Sequence, residues 1–150
     1  MKKNVVIKVL GIVCALVMLA VVALQFIPAW EMDDQSLSVA EYVWFPYDHS
    51  DFTKYFRVEL DDSLTSAGDI AGGHAILLVL GVIGAVFCVV KSNKLSFVLS
   101  AIMGLYGLYE YFMQPLYVLT PLGLPLLALC GVIAALSAAG LVLTFTDKKN

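Results

Sequence analysis

Glu110 is the only acidic residue inside any long apolar run of this chain, and His74, Gln25 and Gln114 are the polar residues that a helical reading brings nearest to it. A carboxylate in hydrocarbon costs up to about 2.5–3.5 kcal/mol on insertion scales, so Glu110 is expected to face a neighbouring helix rather than lipid. Opposite His74 it would form an ion pair or share one hydrogen bond. Three roles fit Gln25, His74, Glu110 and Gln114, with Tyr106 and Tyr111 flanking. The first is a polar lock on helix register, worth about 0.6–2 kcal/mol. The others are a ligand or ion site open to the outer side, and a proton relay.

A second cluster, Asp48-His49-Ser50-Asp51, has two or three donors for a divalent cation. No cysteine or second loop histidine completes a zinc set, so a solvated turn is the expected reading and no metal is assigned. Catalytic signatures are missing: there is no Gly-rich phosphate loop, GxSxG, HExxH or CxxC. An enzyme is not expected, no cofactor is implied, and the lysines form no nucleic-acid patch.

The elements that must position these residues follow from composition. The chain has 150 residues, 61% hydrophobic and 14% charged, too little polar surface to cover a soluble globule of that size. Four runs are long enough to cross about 30 Å of hydrocarbon. They are 9–27, 71–90, 95–113 and 124–145, leaving an outer loop 28–70, a cytoplasmic turn 91–94 and an outer loop 114–123. One integral membrane domain is expected over 1–150. Lys2, Lys3, Lys8, Lys91, Lys94, Lys148 and Lys149 fall on one side, which the positive-inside rule makes the cytoplasm, with both termini there. Ten of the twelve acids lie in the loop between the first two spans, so the net charge of −3 hides an acidic outer face and a basic inner one. The first run could be mistaken for a secretory signal, but its apolar length of about 19 residues exceeds a signal core.

Helical wheels give each span a face. On the third, Ser96, Ser100, Met103, Gly107, Glu110 and Gln114 share a wedge of about 80°, while Phe97, Leu105, Leu108 and Tyr109 point elsewhere. Gly11, Ala15, Met18, Val22 and Gln25 align on the first span; His74, Leu78, Gly81, Ala85, Cys88 and Ser92 align on the second. The short turn makes the second and third an antiparallel hairpin, pairing residue i with about 185 − i. Gly81 is then expected against Gly104, Ala85 against Ser100, and His74 level with Glu110 or Tyr111. Gly131, Ala135 and Ala139 give the fourth span a small-residue contact face. Cys14, Cys88 and Cys130 all fall inside spans, as small packing residues.

In the long outer loop, Ser38-Val-Ala-Glu41 is expected to cap a short helix and Tyr42–Tyr47 to be extended. Alternation over residues 52–60 predicts a half-buried strand. Trp44, Phe45, Phe52 and Phe56 would form a mini-core or a patch for a protein partner.

The layout resembles the claudin and peripheral-myelin-protein tetraspans, through Pro28-Ala29-Trp30 at the exit of the first helix and Tyr42-Val43-Trp44 in the loop. The resemblance implies a β-forming first outer segment, but the family's loop cysteine pair has no counterpart here and Phe45-Pro46-Tyr47 stands in its place. Paracellular sealing is therefore not carried over. The expectation is an all-α membrane protein: a four-transmembrane-helix bundle with a small extracytoplasmic β-sheet, multi-pass in the cell membrane. Its expected role is a structural or accessory subunit that contacts a protein partner or a second copy. The alternative is a small transporter or channel subunit with its site at Gln25, His74 and Glu110.

Overall fold

Each of the four expected spans is a helix long and apolar enough to cross a membrane. A computed structural model describes residues 3–32, 35–38, 40–41, 67–113 and 122–146. The helices are α1 (Lys3–Leu24), α2 (Ala67–Val90), α3 (Lys94–Met113) and α4 (Gly123–Thr146). Leu16, Val86, Leu105 and Val142 are all more than half exposed, an apolar outer shell that suits lipid rather than water.

α1 begins six residues before the expected span and stops at Leu24 instead of Ile27, because hydrophobicity marks the membrane and not the helix end. Pro28 disfavours helical geometry at Ile27, and the last turn tightens before it. The N–H groups of Gln25, Phe26 and Ile27 donate to carbonyls only three residues back.

The helices form a closed ring in which α1 packs on α2 and α4, and α3 packs on the same two neighbours from the far side. Every seam is antiparallel. Gln25 reaches His74 while Gly11 abuts Ser92. Glu110 covers Gly73 while Ser100 meets Cys88. On α4, Gly104 lies against Cys130 and Phe97 against Gly140, and Lys3 bonds Thr146 back on α1. The core between them holds Met18, Leu77, Met103, Leu126 and Ile133, all 1% exposed or less.

The turn between α2 and α3 sets the register of that hairpin. Lys91 and Ser92 N–H groups both donate to the Phe87 carbonyl, and Ser92 takes a left-handed φ of 41°. Asn93 then caps α3: its Oδ1 accepts the Ser96 N–H at 3.1 Å, and Ser96 Oγ accepts the Asn93 N–H at 2.9 Å. This reciprocal pair satisfies two amides that a helix start leaves open.

Among the described residues the β structure is one two-stranded antiparallel hairpin, β1 (Pro28–Met32) with β2 (Gln35–Ser38), pairing Trp30 with Leu37 and Met32 with Gln35. That hairpin, at residues 28–38, is not the β-layer expected of the outer loop, whose strand is expected over 52–60. The strand expected over 52–60 and the extended run 42–47 lie outside the described residues. Ser38 and Glu41 do form the expected capping box: Glu41 Oε2 accepts the Ser38 N–H at 2.9 Å, and Ser38 Oγ accepts the Glu41 N–H at 3.2 Å. The Ala40 N–H donates to the Gln25 carbonyl at 2.9 Å, tying this turn to the end of α1.

Three packing expectations are corrected. Phe97 is fully buried, because Gly140 opens a niche for its ring on α4. Gly81 faces Met103 and Val22, whereas Gly104 turns to the α4 backbone at Cys130 and Ala134. On α4 the buried face is Gly123, Leu126, Cys130, Ile133, Ser137 and Gly140, leaving Ala135 and Ala139 exposed and nothing near Gly131.

Candidate functional site: a polar cluster between helix ends

The residue that follows α1, a residue two turns into α2 and one in the last turn of α3 come level, and this brings Gln25, His74 and Glu110 together out of three separate apolar runs. All three are buried, at 2%, 0% and 4% exposed. Gln25 Nε2 donates to the Val21 carbonyl of its own helix at 3.5 Å, which turns Oε1 toward α2. There it lies 2.9 Å from His74 Nδ1. Since an amide oxygen only accepts, the proton sits on Nδ1 and His74 donates. The other ring nitrogen, Nε2, is buried with no hydrogen-bond partner among the described residues.

Glu110 comes to the same level but not to the same bond. Its carboxylate lies directly over Gly73, where any side chain would collide with it, and Tyr106 stands one turn earlier on α3. His74 thus pairs with Gln25 through Nδ1, and Glu110 comes against the neighbouring Gly73, so the contact expected between His74 and Glu110 is made instead to Gln25 among the described residues. Tyr111 turns its ring edge to Phe112, with centroids 5.3 Å apart.

A second polar set crosses the bundle deeper in the apolar span, one residue from each helix: Cys14, Cys88, Ser100 and Ser137, all 0% exposed. Ser100 Oγ donates to the Ser96 carbonyl at 2.8 Å and Ser137 Oγ to the Ile133 carbonyl at 2.6 Å. Each hydroxyl then has its oxygen left to accept a thiol from across the seam, Cys88 at 3.1 Å and Cys14 at 3.8 Å. Reading the cysteines as packing residues missed these pairings. The 185 − i rule sets Cys88 level with Phe97 and Ser100 with Ala85, so the Cys88–Ser100 contact falls about one helical turn away from it.

Gln114, the proposed partner patch at Trp44, Phe45, Phe52 and Phe56, and Asp48 to Asp51 lie outside the described residues. Among the described residues no three His, Cys, Asp or Glu side chains gather closely enough to hold a metal ion. No family model, curated protein or solved structure matches the chain.

Proposed function

We propose that this chain is a non-enzymatic, structural or accessory membrane subunit, held in the cell membrane with both termini cytoplasmic. Its acidic, aromatic outer loop (28–70) contacts a protein partner or a second copy. The observation that supports this most is the use made of polar side chains within the spans. Gln25 faces His74, Cys88 faces Ser100 and Cys14 faces Ser137, each pair joining two helices. Such pairs fix register in lipid, where no hydrophobic drive between helices exists. On this reading the likeness to the claudin tetraspans is one of layout: four spans, a long first outer loop with a β-forming part, and a short second one. Crosslinking in intact membranes, followed by extraction in mild detergent, should yield a complex. Recovery of a lone monomer under both conditions would overturn the proposal.

One observation favours a second reading, a small transporter or channel subunit: His74, whose Nε2 is buried and has no partner among the described residues, follows directly on Gly73, against which the Glu110 carboxylate lies. Ionisable groups at such depth commonly serve ion or proton pathways. Glu110→Gln and His74→Ala separate the two. Variants that insert and melt normally yet lose solute or proton flux in liposomes establish transport; variants that lose only thermal stability establish the lock.

A further inference from the structure

At the opposite end of the bundle from His74, the helix ends enclose a cleft of about 760 Å³. It draws on all four helices and on the α2–α3 turn. Lys8 and Asn4 come from α1, Lys91 and Asn93 from the turn, and Thr144 from α4. Val90 and Leu95, 70% and 51% exposed, continue its wall onto the lipid-facing surface.

Among its described lining residues every charged side chain is a lysine. Lys94 also lines it, with its ammonium held over the Phe145 ring at 3.8 Å. Lys8 and Lys91 are exposed there. Among the described residues the acids are Glu31, Glu41, Asp69 and Glu110, all at the other end of the helices. A cavity that mixes ammonium groups, amides and a hydroxyl, and opens onto apolar surface at the membrane boundary, has the two halves of a phospholipid as its complement. Topology-setting lysines require none of this: they need only lie on one side, not converge on a shared cavity from separate elements.

We propose that this cleft binds the headgroup of an anionic phospholipid. Lys8 and Lys91 are the counter-charges to its phosphate, Asn4 donates a hydrogen bond to it, Thr144, whose hydroxyl donates to the Leu141 carbonyl at 2.9 Å, accepts one from a headgroup hydroxyl, and its acyl chains lie along Val90 and Leu95. The proposal rests on the chain crossing a membrane but not on the role of the outer loop.

The test is native mass spectrometry of the full chain from mild detergent, titrated with phosphatidylglycerol, phosphatidylcholine or inorganic phosphate. Phosphatidylglycerol should bind at least about tenfold tighter than phosphatidylcholine, and excess inorganic phosphate should not displace it. At about fivefold per lysine near a membrane surface, Lys8→Gln/Lys91→Gln should weaken phosphatidylglycerol by roughly 25-fold. Lys148→Gln/Lys149→Gln, which removes equal charge at positions that are not among the described lining of the cleft, should weaken it less than about threefold if the attraction is local to the cleft. Equal losses in the two double variants would reduce the effect to general surface attraction and overturn the site. So would equal binding of the two lipids, or displacement by phosphate. If Lys8→Gln/Lys91→Gln fails to insert, Asn4→Leu/Thr144→Val leaves all charges in place. It should weaken phosphatidylglycerol alone, and unchanged binding by that variant would also overturn the proposal.

Discussion

The two polar levels of this bundle are built differently. At the level of the cluster, Gln25 and His74 depend on each other across a helix boundary: the His74 N–H has the Gln25 oxygen as its acceptor, and Nε2 has no partner among the described residues. At the deeper level, Ser100 and Ser137 donate to carbonyls of their own helices, and the thiols add only a weak second contact. Close packing holds the deeper level, through glycines that let one helix touch the backbone of the next. Polar residues buried at two depths of one membrane protein therefore do unequal work, and burial alone does not tell which is which.

The largest expected effect lies in the packing. A Cβ on Gly104 would sit 2.9 Å from the Ala134 nitrogen and 3.0 Å from the Cys130 oxygen, both backbone atoms that cannot turn aside. Gly104→Ala must push α3 and α4 apart, at about 1–3 kcal/mol by the usual scale of overpacking. A clear drop in melting temperature in detergent is expected. An unchanged value would mean that the deeper level is not held by close backbone contact.

Gln25→Leu comes next. It keeps the bulk but removes the acceptor of His74 Nδ1, at about 0.6–2 kcal/mol on the scale of interhelical hydrogen bonds in membranes. Double-mutant analysis with His74→Ala measures the coupling directly. Additive losses would show that the outer pair contributes nothing as a pair, and the contrast between the levels would disappear.

Much of this arrangement was legible before any coordinates. The spans, the wedge of α3 from Ser96 to Glu110, and the meeting of α2 with α3 near 185 − i all followed from hydropathy, period and one tight turn. What was not legible depends on seams that no tight turn sets. The partner of His74 lies on α1, across the long loop 28–70, so nothing in sequence spacing ranks Gln25 above Glu110. Phe97 looked lipid-facing because its place in the core depends on Gly140, across the second outer loop. Gly131, Ala135 and Ala139 show how a spacing motif misleads: the repeat is present, but the register of α4 turns its other face inward. Gly131→Ala should therefore be tolerated and raise stability by up to about 1 kcal/mol, since alanine restricts the unfolded chain more than glycine does. Destabilisation there would reveal a contact on that face.

The smallest expected effect is the sharpest test of the contrast, because it falls on a residue with no solvent exposure at all. Ser137 is as buried as His74 and sits in a bundle-wide polar set, and by burial alone its loss should cost as much as that of Gln25. Its hydroxyl, however, donates to Ile133, whose carbonyl also has the amide ladder of α4 as a partner, so removing it leaves no group in that helix unsatisfied. Cys14 loses an acceptor 3.8 Å away, a distance at which a thiol holds little. Ser137→Ala should shift stability by no more than about 0.5 kcal/mol. A loss comparable to Gln25→Leu would mean that the thiol–hydroxyl contacts act as a connected network, and the deeper level would then be polar in its energetics as well as its composition.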